Sequence, residues 1–172
     1  PIVAVARNPP PYVHEDLRPA LRRLREARAP DDALYVFYGS RLPYLFYEPR
    51  PDAAGDRMLG ECARGNPRRY LEELDRFRGR PRVWVLISHD LPAFDEGPLV
   101  LEYLDRIGRA RERSTSRSRV DSSPVILALY DLSDPDRLSS ATPDSFGVPE
   151  PPAGAAARRD HGQRPLGRNP RH

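Results

Sequence analysis

The run Arg82-Val83-Trp84-Val85-Leu86-Ile87-Ser88-His89 places apolar side chains on both alternating faces, Val83, Val85 and Ile87 on one and Trp84 and Leu86 on the other. A strand with that pattern is covered from both sides. Two further runs read the same way. Ala33 to Tyr38 puts Leu34, Val36 and Tyr38 opposite Tyr35 and Phe37, and Val125 to Tyr130 is apolar throughout.

Between these runs the spacing changes from two to nearly four. Leu17, Leu21 and Leu24 recur at helical spacing from Glu15 to Arg28, with Pro19 early enough for a first turn and Pro30 as the stop. Leu42 to Tyr47 reads as a short helix opening at Pro43, followed by a loop rich in Pro, Gly and Asp through Gly65. Asn66 is the expected N-cap of the next helix, with Pro67 at its first position, Tyr70, Leu71, Leu74 and Phe77 as its buried stripe and Gly79 past its end. Asp95 is the expected cap of another, whose stripe is Leu99 or Val100, Tyr103, Leu104 and Ile107, with Gly108 as its stop. Alternating strands and helices with continuous apolar runs predict an α/β fold. The expected form is a small three-layer α/β/α domain over 1–132, with a short, at least partly parallel sheet joined by right-handed crossovers.

The chain has 172 residues, 38% hydrophobic and 31% charged, enough for one core. Its 21 prolines exclude long coiled coils and fibrous repeats. The longest strictly apolar runs fall far short of the roughly 20 residues needed to span a bilayer as a helix. Residues 133–172 hold seven prolines and few large apolar side chains, which reads as a disordered Pro/Arg-rich tail. The first residue is Pro1, no leader pattern precedes the domain, and the chain reads as a piece of something longer.

All 28 basic residues are arginine, and the net charge is +3. GC-rich coding explains that bias more simply than selection for phosphate binding. Cys62 is the only cysteine, which excludes an intramolecular disulfide and a cysteine-based metal framework. The histidines His14, His89, His161 and His172 are scattered, so neither a metal site nor a cofactor is expected.

Ligands of open α/β sheets gather beyond the carboxyl ends of the strands. Here those ends read Gly39-Ser40-Arg41, Ser88-His89-Asp90 and Asp131. Ser40, Arg41, His89 and Asp90 are the ligand-binding candidates, for an anion or a sugar hydroxyl; a strand cap followed by a turn is the plainer reading. Ser88, His89 and Asp90 do not make a hydrolytic triad, because consecutive strand side chains diverge. Gly39-Ser40-Arg41-Leu42-Pro43 lacks the glycines and lysine of a phosphate loop. Tyr35, Phe37, Tyr38, Tyr44, Phe46 and Tyr47 could stack on sugar rings, although core packing accounts for most of them. Arg109, Arg111, Arg113, Arg117 and Arg119 form the one concentrated basic stretch, read as a loop or exposed hairpin. It is either a solvated surface or a contact for anionic lipid headgroups. Nucleic acid is not the expected partner, since net charge is low and no basic face is evident.

Taken in order, Pro30-Asp31-Asp32-Ala33-Leu34-Tyr35-Val36-Phe37-Tyr38-Gly39, Phe46-Tyr47, Tyr70-Leu71-Glu72-Glu73-Leu74, Gly79-Arg80-Pro81 running into Arg82 to His89, Leu104-Asp105-Arg106-Ile107-Gly108 and Leu129-Tyr130-Asp131-Leu132 resemble a known pattern. It is that of the soluble C-terminal region of bacterial multispanning glycosyltransferases of GT-C architecture, the dolichyl-phosphate-mannose protein mannosyltransferase-like family. The match spans roughly 14–132 and is most specific over Arg82 to His89. The Arg-rich 109–119 stretch and the long tail depart from the family pattern. The resemblance implies a noncatalytic accessory domain on the extracytoplasmic face of the membrane, because the family's catalytic acid and polyprenyl-phosphate sugar site lie in membrane helices. Its implied partners are the membrane-embedded portion of the same or a neighbouring protein, lipid headgroups and a glycan acceptor. A free-standing sugar- or phosphate-binding domain or enzyme is the alternative.

Overall fold

The structure is a computed structural model, and it describes residues 16–49, 56–89, 96–116 and 124–146. In chain order the elements are α1 (Arg18–Ala27), β1 (Ala33–Val36), α2 (Arg41–Tyr47), β2 (Arg57–Leu59), α3 (Arg68–Asp75), β3 (Val83–Ile87), α4 (Glu96–Ile107), β4 (Arg109–Ser116), β5 (Val125–Asp131) and α5 (Pro135–Leu138). The five strands form one sheet in the order β2-β1-β3-β5-β4. Strand β1 runs parallel to both β2 and β3, whereas β5 is antiparallel to β3 and β4. The fold is the expected α/β type with a partly parallel sheet.

Both faces of the three apolar strands are covered, as their sequences require. Leu34, Val36, Trp84, Leu86, Leu127 and Leu129 meet Leu17, Leu21 and Leu24 of the α1 region and Tyr44 of α2. Tyr35, Phe37, Val83, Val85, Ile87 and Tyr130 meet the stripes of α3 and α4 on the other side. Each fully buried Leu, Val, Ile or Phe contributes about 1.5 to 3 kcal/mol before entropy is subtracted.

Two local readings are corrected and one is decided. Asn66 does not cap α3 with its side chain; Pro67 holds the N-cap position, and the carbonyls of Asn66 and Pro67 accept the N–H groups of Arg69 and Tyr70 in a tight turn. The loop before Gly65 contains a strand, β2, whose three half-buried residues add to the β1 edge mainly through backbone pairing. Of the two readings of the basic stretch, loop or exposed hairpin, the structure shows the second: its described part is β4, one arm of an exposed hairpin with β5. Asp95 lies outside the described residues.

The two expected glycine stops hold. Gly79 has φ +85, which favours glycine, and its N–H donates to the Leu132 carbonyl at 2.7 Å. A Cβ on Gly108 would run into the Leu132 side chain and lie 2.6 Å from the Asp131 carbonyl oxygen.

The packed chain also continues past residue 132. Arg78 donates to Asp75 Oδ1, to Tyr103 Oη, and to the carbonyls of Leu138 and Ala141. Phe146 packs edge-on against Tyr103 with ring centres 5.2 Å apart. Residues 133–146 therefore dock on α4; residues 147–172 lie outside the described set.

Asp32 ties the amino end of the sheet together. Its buried carboxylate accepts Arg82 Nε at 2.6 Å, Trp84 Nε1 at 2.9 Å and the Ala29 N–H at 3.0 Å. Burial alone would raise its pKa, but these donors together outweigh it and hold the carboxyl below its ordinary 3.8. A carboxyl depressed on folding contributes stability that is full above the unfolded value and is lost as pH falls through the folded one. Asp32→Ala should therefore cost about 2 to 4 kcal/mol at neutral pH, because the indole N–H and a guanidinium lose their acceptor. Urea denaturation checks this, and the variant's stability should also fall less steeply than the parent's below pH ~4.

Candidate functional site

Because β1 and β3 are parallel neighbours, Gly39-Ser40 and Ser88-His89 leave the sheet side by side. The chain after β1 turns at once through a single 3₁₀ turn, Tyr38–Ser40, with the Ser40 N–H on the Phe37 carbonyl. Backbones pass closely here. A Cβ on Gly39 would stand 2.7 Å from the Ser88 carbonyl oxygen and 2.9 Å from that of His89. Ser40 Oγ donates to the Leu86 carbonyl at 3.3 Å, and Ser88 Oγ donates to Ser40 Oγ at 3.1 Å, both hydroxyls buried.

The four ligand-binding candidates are thus distributed unevenly. Ser40 lies at the strand ends but spends its hydroxyl on joining β1 to β3. His89 is exposed at the same end and adopts φ 56, the left-handed region that non-glycine residues seldom occupy. Arg41 is exposed in the first turn of α2, and Asp90 lies outside the described residues.

A polar cluster that the sequence did not reveal lies on the α3/α4 face of the same end. Tyr38 Oη donates to Glu96 Oε2 at 2.6 Å and accepts Arg64 Nε at 3.1 Å. Its ring stacks on Tyr70 at 5.3 Å, and the Arg64 guanidinium lies 5.6 Å from the Tyr38 ring centre. Glu96 is buried. Burial pushes the Tyr38 phenol up, with Arg64 opposing the rise and Glu96 adding to it. Beneath it, Tyr35 Oη donates to Glu73 Oε2 at 2.9 Å, while Glu73 Oε1 accepts the Glu61 N–H at 3.1 Å. Burial raises the Glu73 pKa despite those two donors. A phenol, a carboxylate and a guanidinium in hydrogen-bonded contact make a set that a hydroxylated ligand could address. Beside them a depression of about 180 Å³ opens between β2 and α3, edged by Glu61, Arg69, Glu73 and Arg76.

The basic stretch is arranged differently. Arg111 meets Asp131 at 2.6 Å, Arg113 meets Asp105 at 2.7 Å, and Arg109 stands 3.9 Å from Asp134. The Ser133 hydroxyl and Arg111 together bring the Asp131 carboxyl down to about 2. Arg117 and Arg119 lie outside the described residues. Each described arginine of that membrane-surface candidate already faces a carboxylate, which also blunts the exposed sheet edge.

Among the described residues no group of three or more His, Cys, Asp or Glu is gathered where it could hold a metal, and no helix is long and apolar enough to cross a membrane. Compared with protein-family models, with curated proteins and with solved structures, the chain matches none.

The tight crossing of β1 and β3 is directly testable. Gly39→Ala should cost about 1 to 3 kcal/mol, since its methyl meets rigid backbone oxygens rather than a yielding side chain. An unchanged urea midpoint would mean that the two strand ends do not approach as described.

Proposed function

We propose that this chain is a noncatalytic extramembrane α/β domain of a polyprenyl-phosphate-sugar-dependent membrane glycosyltransferase of GT-C type. It braces the membrane-embedded portion, or helps position a glycan acceptor, on the extracytoplasmic face. The observation that carries the reading is the resemblance over Arg82 to His89, whose residues are the central strand and its exit. The other resembling stretches lend support by position. Ala33 to Val36 is the parallel neighbour of that strand, and Leu129 to Leu132 ends against Gly79 and Gly108. These are sites where packing tolerates little change, so a shared pattern there fits a shared scaffold.

A second reading, a sugar- or phosphate-binding domain acting by itself, draws on the Tyr38, Arg64 and Glu96 cluster at the carboxyl end of β1 and β3. It requires that Arg64→Ala, which removes the guanidinium of that cluster, weaken binding of candidate sugar phosphates. Unchanged affinity removes it.

The leading reading is tested on the natural protein. An antibody raised against residues 16–146 should mark a membrane-fraction product far heavier than the 19.5 kDa of this chain, or one that copurifies with a multispanning partner. A product of that small mass, alone in the soluble fraction, would contradict it.

A further inference from the structure

The α1/α2 face carries an apolar ridge that the core does not use. Leu42 and Phe46 stand one helical turn apart on α2 and are 78% and 77% exposed. Tyr47 is 39% exposed, and its ring meets Phe46 edge-on at 5.1 Å. The buried side of α2 is held by Tyr44, with Leu45 partly buried against the same core, and the remaining large apolar side chains of this short helix point outward.

Arginines border this ridge. At 3.6 residues per turn, Arg18, Arg22 and Arg25 share one flank of α1. That flank faces α2, because Arg25 Nε bonds Glu48, the residue that follows α2, at 2.6 Å; Arg18 on the same flank bonds Asp16 at 2.8 Å. Arg23 leaves on the opposite flank and bonds Glu112 of β4. Arg22 and Arg41 are exposed, and among the described residues neither has a carboxylate within ion-pair distance. Arg57 adds a guanidinium 5.8 Å from the Tyr44 ring centre on the same face. Between the two helices lies a depression of about 290 Å³, floored by Leu21, Leu24, Pro30 and Tyr44.

We propose that this face is where the domain rests on an anionic lipid bilayer. Leu42 and Phe46 enter the boundary between headgroups and acyl chains, the Tyr47 hydroxyl stays at the wet level, and Arg22 and Arg41 meet lipid phosphates. Charge complementarity selects this occupant: an apolar wedge whose rim carries the paired Arg18 and Arg25 together with Arg22 and Arg41, which lie outside ion-pair distance of the described carboxylates, fits a layer that is greasy below and anionic above. Area argues against a second copy, since three side chains fall well short of the roughly 800 Å² per partner of a stable interface. The assignment moves the lipid contact away from Arg109, Arg111 and Arg113, which face their own carboxylates. It deepens the glycosyltransferase-domain reading and rests on it for biological setting, although vesicle binding can be measured without it.

The test is cosedimentation of the whole chain with vesicles of phosphatidylcholine mixed with phosphatidylglycerol, against phosphatidylcholine alone. Binding is expected to the anionic vesicles and to fall with added salt. Phe46→Ser should lower partitioning about tenfold. Arg22→Gln and Arg41→Gln should each lower it about fivefold. Arg111→Gln should leave it unchanged. All of these side chains are exposed, and unaltered circular dichroism and urea midpoints will show that the variants fold. No binding to anionic vesicles, or equal binding by Phe46→Ser, overturns the proposal. A dimer in sedimentation that Phe46→Ser dissolves, without vesicle binding, assigns the ridge to a second copy and also overturns it. A light soluble product in cells would remove the glycosyltransferase reading while leaving vesicle binding intact. Failure of vesicle binding with a heavy membrane product would do the reverse.

Discussion

The parallel pairing of β1 with β3, closed off from water on both faces, is the constraint on which everything else is arranged. Parallel strands cannot be joined by a tight turn, so the chain between them must cross over, and the crossover contains α2, β2 and α3. Each end of the pair is fixed by a different device. At the amino end Asp32 gathers Ala29, Arg82 and Trp84 onto one buried carboxylate. At the carboxyl end Gly39 lets two backbones pass closely, and the Ser40 and Ser88 hydroxyls tie the strands together.

The rigid carboxyl end has two consequences on opposite sides of the sheet. Toward α3 and α4 it aims Tyr38 at Glu96 and Arg64, where a carboxylate and a guanidinium share one phenol. Toward α1 the immediate turn after β1 leaves only one short helix, α2, with one buried anchor and three outward apolar side chains. The polar cluster gathers a phenol, a carboxylate and a guanidinium, and the apolar ridge leaves Leu42, Phe46 and Tyr47 outward.

Much of the architecture was legible because apolar periodicity is a strong signal when both faces of a strand are buried. Val83 to Ile87, Ala33 to Val36 and Val125 to Tyr130 were recognisable for that reason, as were the helical stripes. Strand β2 was not legible, since an edge strand of three residues is made by backbone pairing and leaves no side-chain pattern. Strand β4 could be read either as a loop or as an exposed hairpin because its arginines find carboxylates on β5, on α4 and beyond β5, partners that only tertiary structure supplies. Docking of 133–146 rests on one arginine reaching backbone carbonyls and on a lone phenylalanine, again without periodicity. At the candidate site, sequence located the strand ends but not the cluster, whose members Tyr38, Arg64 and Glu96 come from three separate elements or loops. Core packing explains Tyr35, Phe37 and Tyr44 of the dense aromatic stretch, whereas Phe46 and Tyr47 were hidden among them despite their exposure.

The spine itself can be measured by native-state hydrogen exchange at the Ala33 and Phe37 amides, which donate to the Arg82 and Leu86 carbonyls at 3.1 Å and 2.9 Å. If the covered β1/β3 pair holds the domain together, both should exchange only through global unfolding, with opening free energies equal to the stability found in urea. Exchange of these two amides ahead of those in the exposed strand β4 would contradict the account.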